Sequence, residues 1–290
     1  MAMKSFLGCS ALITGASAGL GAEFARQLAP EAAQLVLVAR RTDRLEVLRK
    51  ELLAKHPGLL VEIRRTDLTH SEEVGALADF LKESGISINF LINNAGLGDF
   101  GLFESSDWKK VQEMLQVNIE ALTALTHSFL PGMIERRHGA VLNVSSTAGI
   151  LPLPSFAVYA ATKAYVSSFS EALHAELKGT GVSVTALCPG PVSTEFGDVA
   201  SRPDTQRAFK PPNLFYVPAE KVVREALEAV RRSRPRIVPG LLVKLGILPM
   251  EMIPWALLRL GLALGASRVA KEDRKRQWLR KGGGDHPPEG

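Results

Sequence analysis

The chain contains little cysteine. Only Cys9 and Cys188 occur among its 290 residues, and they lie far apart in the sequence. Two isolated cysteines match neither a disulfide framework nor a zinc-binding spacing, so the sequence indicates a reducing compartment. The histidines His127, His138 and His174 show no ligand spacing either. No metal site is therefore predicted.

The chain also lacks a long uncharged apolar run. The apolar stretch between Lys4 and Cys9 is shorter than the roughly 7–15 residues of a secretion signal. The leucine-rich segment 240–266 is interrupted by Lys244, Glu251 and Arg259, and it falls short of the about 20 apolar residues of a spanning helix. We therefore expect a cytoplasmic protein that does not cross a bilayer.

The positive charge is concentrated near the C-terminal end. The net charge is +5, yet residues 231–281 hold 13 lysines and arginines against 3 acidic residues. The remainder of the chain is thus acidic. An acidic main body argues against a general nucleic-acid-binding protein, because such a protein presents a basic face.

Short β-branched runs alternate with longer helical patterns along the chain. The runs are ALITGAS, QLVLVAR, LVEIRRTDL, NFLINNAG, AVLNVSS and VSVTALCPG. This alternation is typical of repeated βαβ units and predicts an α/β fold with a Rossmann-like, doubly wound parallel sheet. We expect a single catalytic domain over 1–240, an apolar and then basic C-terminal extension over 241–281, and a disordered tail over 282–290.

A glycine-rich turn, TGASAGLG, follows the first predicted strand and opens a helical pattern. Gly15, Gly19 and Gly21 permit a tight turn, close approach to a pyrophosphate and close packing of helix on strand. Ser17 and Leu20 belong to the same turn and are included among the expected cofactor contacts. The turn predicts a dinucleotide-binding site.

The end of the second strand favours NADP over NAD. Arg40 and Arg41 stand where an acidic residue would bind the ribose hydroxyls of NAD, and a guanidinium at Arg40 would bind a 2′-phosphate. An alternative is that both arginines point into solvent and that Asp43 binds the ribose of NAD. The sequence therefore predicts NADPH as the cofactor and leaves NAD as the less favoured choice.

Five ordered motifs carry a family resemblance. TGASAGLG, NNAG, VNIEA, NVSS and YAATK occur in this order and spacing, from about residue 8 to about residue 240. Together they resemble the short-chain dehydrogenase/reductase family. The resemblance implies hydride transfer between NADP(H) and a carbonyl or alcohol group.

The resemblance also implies a catalytic set. Tyr159 and Lys163 are four residues apart and share one face of a helix. By resemblance, Tyr159 is the general acid in reduction, and Lys163 lowers its pKa and holds the nicotinamide ribose. Ser146 binds the substrate carbonyl, and Asn118 holds a water that links Lys163 to solvent. Ser146 is preferred to its neighbour because it lies thirteen residues before Tyr159, the spacing usual in the family.

Other roles are expected for the neighbouring polar residues. Ser145 is expected to point to the opposite side of the extended chain, and Tyr165 to pack rather than react. The resemblance places Asp67 near the adenine, Asn93–Ala95 along the cofactor, and Pro189, Gly190 and Thr194 over its nicotinamide end. Asn94 and Gly96 are expected to hold their loop.

The substrate side is predicted to be apolar. A long connection over residues 192–217 carries Phe196, Phe209, Phe215 and Tyr216, and long aromatic loops often serve as lids. The sequence predicts a bulky hydrophobic ketone or acyl carbonyl as substrate. These side chains alternatively pack the loop onto the body.

The segment 240–266 permits two interpretations. It is either an apolar flap for homo-oligomer contact or substrate enclosure, which we favour, or a membrane-surface segment assisted by the basic stretch that follows. A functional alternative keeps the fold without catalysis: an NADP(H)-binding sensor or scaffold that acts through this segment.

Overall fold

The structure is a computed structural model that describes residues 3–202 and 216–252. Seven parallel strands form one sheet in the order β3-β2-β1-β4-β5-β6-β7. The strands are β1 (Ser10–Thr14), β2 (Gln34–Ala39), β3 (Leu60–Arg65), β4 (Phe90–Asn93), β5 (Gly139–Val144), β6 (Val182–Leu187) and β7 (Arg236–Ile237). The predicted doubly wound, Rossmann-like sheet is confirmed.

Helices cover both faces of this sheet. Helices α1, α2 and α8 pack on one face, and α3, α5 and α6 pack on the other. The helices are α1 (Gly19–Leu28), α2 (Thr42–Lys55), α3 (Ser71–Glu83), α4 (Trp108–Leu115), α5 (Leu122–Glu135), α6 (Ala157–Glu176), α7 (Phe196–Ala200), α8 (Ala219–Arg231) and α9 (Leu241–Met252). A π-helical turn over Gln116–Ala121 joins α4 to α5.

The side chains of each central strand alternate between the two helical layers. On β1, Ala11 and Ile13 enter the core on the α1 side, and Leu12 enters the core on the α3 side. All three are fully buried. A strand covered on both faces needs apolar residues at every position, which explains the continuous apolar runs in the sequence.

All strands are parallel, but the order in which the chain adds them to the sheet reverses between β1 and β4. From β1 the chain proceeds through β2 and β3 on one side, and it then returns to β4, β5 and β6 on the other. The loops after β1 and β4 therefore diverge and leave a crevice at the carboxyl ends of the strands. This crevice contains the candidate site.

Several elements differ from the sequence expectation. Strand β7 has only two residues and was not predicted, because so short a run carries no periodic signal. The predicted loop 192–217 contains α7, and its residues 203–215 lie outside the described part of the chain, as do 253–290. Within the described ranges, no helix combines the length and the apolar character needed to span a membrane.

Candidate functional site

A cavity of about 1270 Å³ lies at the carboxyl edge of the sheet. Its walls come from the segments that follow β1 to β6 and from α6 and α9. Its charged lining residues include Arg40 and Arg41, which follow β2. Phe156, Val243 and Ile247 contribute an apolar lining beside α6 and α9. The volume suits a dinucleotide together with a second molecule.

The glycine turn after β1 has little space for side chains. Gly15 has a φ of 65°, and a Cβ on it would lie 2.9 Å from the Cα of Ala95. A Cβ on Gly21 would overlap the carbonyl oxygen of Gly15. The amide of Asn94 donates to the carbonyl of Thr14 at 2.9 Å, so it holds the turn as expected. Gly21 thus packs α1 against β1, behind the cavity wall.

The first turn of α1 presents backbone amides to the cavity. Ala18, Gly19 and Leu20 line the wall, and no side chain caps this end of the helix. Uncapped amides at a helix N-terminus bind anions, because their N–H groups lack acceptors and the helix dipole is positive there. The turn therefore fits the pyrophosphate of a dinucleotide.

Basic side chains line the cavity where β2 ends. The Nη1 of Arg40 lies 3.7 Å from a carboxylate oxygen of Asp67, and both residues line the wall. The Nε of Arg41 donates to the hydroxyl of Ser17 in the glycine turn at 3.3 Å. Asp43 is exposed on the first turn of α2. The two guanidinium groups fit a ribose that carries a 2′-phosphate.

Tyr159 and Lys163 lie one turn apart on α6 and face the cavity. The Nζ of Lys163 is 5.7 Å from the centroid of the Tyr159 ring. It also donates to the carbonyl of Val144 at 2.8 Å, which fixes the long side chain beneath the tyrosine. Ser146 follows β5 on the same wall. The structure thus brings together the three residues that the motifs singled out.

Burial shifts the pKa values of Tyr159 and Lys163 in opposite directions. It raises the pKa of Tyr159 to about 12, and a hydrogen bond with Ser146 opposes that rise. Burial lowers the pKa of Lys163 to about 8. Both changes favour the neutral form, because the charged form of a buried group loses hydration. Tyr159 therefore holds its proton at neutral pH. The expectation that Lys163 lowers the pKa of Tyr159 is corrected, because burial dominates and raises that pKa above its ordinary value.

The neighbouring hydroxyls lie outside the reacting group. The hydroxyl of Ser145 donates to the carbonyl of Lys163 at 2.7 Å, so it ties α6 to β5. Tyr165 is partly exposed, and its hydroxyl lies 3.0 Å from that of Thr123. Both placements agree with the choice of Ser146 and Tyr159.

Asn118 is buried in the π-helical turn between α4 and α5. Its side chain pairs with both backbone groups of Leu97, accepting from the nitrogen at 2.8 Å and donating to the oxygen at 2.9 Å. It therefore fixes the loop after β4. A Cβ on Gly96 in that loop would lie 3.2 Å from the Nζ of Lys163 and 3.4 Å from the Oδ1 of Asn118.

Asn93 departs from its expected position. Its amide donates to the Oδ1 of Asn143 at 2.9 Å and to the hydroxyl of Thr126 at 3.0 Å, within the buried layer on the α5 side. Asn93 is the last residue of β4, and strand alternation directs its side chain away from the cofactor. The expectation that Asn93 lines the cofactor is corrected, whereas Ala95 does line the cavity.

The segment after β6 closes the cavity opposite the glycine turn. Pro189, Gly190 and Thr194, which the resemblance places over the nicotinamide end, all line the wall. A Cβ on Gly19 would lie 3.3 Å from the Cγ2 of Thr194, so the two segments meet across the crevice. The next residue, Glu195, also lines the wall and was not singled out in the sequence.

Aromatic and aliphatic side chains surround Tyr159. Its ring lies 5.3 Å from that of Phe156 and 5.4 Å from that of Phe196, between centroids. Other apolar residues of the wall include Leu97, Leu151, Leu153, Val199, Val243 and Ile247. The motifs did not identify Phe156 or Leu153, whereas α9 belongs to the segment 240–266, for which substrate enclosure was one of the expectations. No local sequence signal identifies which side of a helix faces a cavity formed by distant segments.

Comparison with known proteins identifies the family. The short chain dehydrogenase family model matches residues 10–204. A very-long-chain 3-oxoacyl-CoA reductase-like protein of Arabidopsis thaliana is 35% identical over 230 residues, which cover 77% of this chain and 70% of that protein.

Solved structures resemble the whole chain. A short-chain dehydrogenase from Sphingobium yanoikuyae in complex with NADPH has a TM-score of 0.72 and 29% identity, and the match covers 97% of this chain and 98% of that one. The bulky-bulky ketone specific alcohol dehydrogenase from Comamonas testosteroni has a TM-score of 0.70 and 27% identity, with 97% of each chain covered. The chain belongs to the short-chain dehydrogenase family and is an oxidoreductase that acts on alcohol or carbonyl groups with NADP(H).

Proposed function

We propose that the protein reduces a bulky hydrophobic ketone or acyl carbonyl with NADPH, or oxidises the matching alcohol. One observation carries this proposal: the hydroxyls of Tyr159 and Ser146 are hydrogen-bonded to each other on the cavity wall, and the Tyr159 ring packs between Phe156 and Phe196. A carbonyl oxygen beside this pair would reach both hydroxyls while the rest of the substrate remained among apolar side chains.

NADPH, when bound, supplies the hydride. Tyr159 donates its proton to the carbonyl oxygen of the substrate, and Ser146 donates a hydrogen bond to the same oxygen. This polarises the carbonyl and orients its carbon. A protonated Tyr159 is the form required for reduction, and the burial that raises its pKa to about 12 maintains that form at neutral pH.

Lys163 supports the tyrosine after the proton has left. Its ammonium group lies 5.7 Å from the phenol ring and stabilises a phenolate by charge attraction. Because the pKa of Lys163 is about 8, the lysine remains largely charged at neutral pH. Asn118 holds the loop above Lys163, and its role in a water path from Lys163 to solvent stays a prediction.

The apolar lining around Tyr159 supports a hydrophobic substrate. Phe156 and Phe196 flank Tyr159, and Val243 and Ile247 of α9 complete the wall. The Comamonas relative is specific for bulky-bulky ketones, and the Arabidopsis relative resembles a reductase of very-long-chain 3-oxoacyl-CoA. Both names fit a substrate with a large apolar part.

NADPH oxidation tests this proposal with a panel of ketones of increasing apolar size. We expect kcat/KM to rise with size, because each added methylene is removed from water in the cavity. Tyr159→Phe should lower kcat by at least about 100-fold, the usual contribution of a positioned general acid. Its dissociation constant for NADPH should change little, since the phenyl ring keeps its packing.

Tyr165→Phe is the matched control, because it removes the hydroxyl of the other tyrosine on α6 outside the cavity. It should retain wild-type turnover. Substantial residual activity in Tyr159→Phe, or a preference for the smallest ketones, would contradict the proposal.

We also propose that the outer side of α9 forms a contact between subunits of a homo-oligomer. Leu241, Leu242 and Leu245 are 69%, 49% and 54% exposed, whereas Val243 between them is buried against Gly190. The helix thus encloses the cavity with one side and presents an apolar patch with the other.

A further inference from the structure

A carboxylate bridges two arginines at the rim of the cofactor cavity. Glu195, just beyond Thr194, accepts hydrogen bonds from the Nη1 of Arg41 at 3.0 Å and from the Nη1 of Arg44 at 2.6 Å. Arg41 belongs to the segment after β2, and Glu195 belongs to the segment after β6. The bridge therefore joins opposite sides of the crevice.

Glu195 binds the guanidinium of Arg41, which the cofactor would also bind. Arg41 also donates to Ser17 in the glycine turn, so its guanidinium lies between the expected sites of the pyrophosphate and the adenosine ribose. Arg41 and Glu195 both line the cavity. A 2′-phosphate near Arg40 and Arg41 would meet a carboxylate already bound to the second of them.

The Glu195 carboxylate and the 2′-phosphate are both negatively charged, so they compete for the guanidinium of Arg41. Hydrogen bonds from Arg44 and then Arg41 lower the pKa of Glu195, so its side chain stays ionised at neutral pH. A carboxylate and a phosphate next to one guanidinium repel each other, and each binds that guanidinium well alone. All three side chains of the bridge are about half exposed, so the bridge adds little to the stability of the fold.

We propose that Glu195 sets the specificity and the release of the cofactor. Its carboxylate is an internal anion that the 2′-phosphate of NADP(H) displaces from Arg41. Displacement leaves Glu195 paired with Arg44 alone, so that one ion pair instead of two attaches the segment after β6 to the start of α2. Glu195 thereby weakens NADP(H) binding selectively and accelerates dissociation. The inference rests on the cofactor site proposed above.

Binding measurements test this role without relying on turnover. Dissociation constants for NADPH and NADH are measured by calorimetry at fixed ionic strength for the wild type, Glu195→Gln and Glu46→Gln. Glu46 is the matched control, because it loses the same charge from an ion pair with Arg49 on the exposed surface of α2. The fragments 2′,5′-ADP and 5′-AMP repeat the comparison without the nicotinamide.

We expect Glu195→Gln to bind NADPH and 2′,5′-ADP about two- to fivefold more tightly, the range for release of one exposed ion pair. NADH and 5′-AMP should bind as to the wild type, and stopped-flow release of NADPH should slow. Glu46→Gln should match the wild type throughout.

Three results would overturn the inference. Equal changes in the dissociation constants for NADPH and NADH would mean that Glu195 holds the segment after β6 over either cofactor, independently of the 2′-phosphate. Weaker NADPH binding would mean that the bridge assists the phosphate. Unchanged binding would mean that the bridge has no part in recognition. A wild type that binds neither cofactor would instead contradict the cofactor site itself, and an active Tyr159→Phe would contradict the proposed chemistry alone.

Discussion

At the scale of single residues, burial shifts the pKa values of Tyr159 and Lys163 in the candidate site. The same cavity wall raises the pKa of Tyr159 to about 12 and lowers that of Lys163 to about 8. An acid and a base shift in opposite directions because each loses hydration in its charged form. The tyrosine thus keeps its proton at neutral pH, and burial of the Lys163 ammonium lowers the stability of the folded protein.

This destabilisation predicts a pH dependence of stability. The pKa of Lys163 is about 8 in the folded protein, below its ordinary value of 10.5. Between these values the unfolded chain holds more protons, so the free energy of unfolding rises with pH. Relative to Lys163→Met, we expect the wild type to gain about 2 kcal/mol from pH 8 to pH 10.

Urea unfolding of both proteins at pH 7, 8, 9 and 10 measures this difference. Other titrating groups cancel between wild type and variant. The series ends at pH 10 because the raised pKa of Tyr159 lowers the stability of both proteins above that pH. Parallel stability profiles for the two proteins would show that Lys163 keeps its ordinary pKa.

At the scale of elements, one glycine sets how closely α1 approaches β1. A Cβ on Gly21 would overlap the carbonyl of Gly15, whereas a Cβ on Gly75 in α3 would meet no atom within 4 Å. Gly21→Ala should destabilise the fold by about 1–3 kcal/mol and weaken NADPH binding, because the glycine turn must move. Gly75→Ala should stabilise it by about 0.4–1 kcal/mol, because the unfolded chain loses freedom.

Thermal unfolding and NADPH titration of both variants check this pair. Each replaces a helical glycine by alanine, so helix propensity changes equally and only the local space differs. Equal stability of the two variants would mean that α1 can shift away from β1 at no cost.

A second contact between elements fixes the start of the predicted lid. The carboxylate of Asp99 pairs with the guanidinium of Arg202, and their side chains are 5% and 12% exposed. The nitrogen of Phe100 also donates to the carbonyl of Ala200 at 2.8 Å. These bonds attach α7, which carries Phe196, to the loop after β4. The aromatic wall beside Tyr159 is therefore built by two segments about 100 residues apart in sequence.

At the scale of the whole molecule, the exposed side of α9 predicts self-association. We expect the wild type to have a solution mass that is a multiple of 31.3 kDa. Leu242→Glu combined with Leu245→Glu should reduce this mass to that of the monomer, because charges would be buried at the contact. Light scattering after size-exclusion chromatography measures it.

Val47→Glu is the control, since Val47 is an equally exposed apolar residue on α2. A monomeric wild type would contradict the proposal. Liposome flotation of the wild type and the double variant separates the alternatives, because a membrane-surface segment would float only when its apolar patch is intact.

Much of the fold could be predicted from the chain. Runs such as QLVLVAR indicate strands covered on both faces, and the topology of parallel sheets brings their carboxyl ends together. The doubly wound parallel sheet and the NADP(H) cofactor, the latter predicted from the glycine turn and Arg40, are both confirmed. The sequence could not predict β7, whose two residues pair with β6 only because the sheet already exists.

The sequence by itself determined the parallel sheet and the glycine turn, and it identified Tyr159, Lys163 and Ser146 as the candidate reacting residues. Each of these conclusions depends on local spacing or on apolar periodicity. The tertiary structure alone decided which neighbours face the cavity. It directed Asn93 into the core, turned Val243 inward and placed Glu195 on Arg41. These outcomes depend on packing between segments that are distant in sequence, and neither periodicity nor motif spacing carries that information.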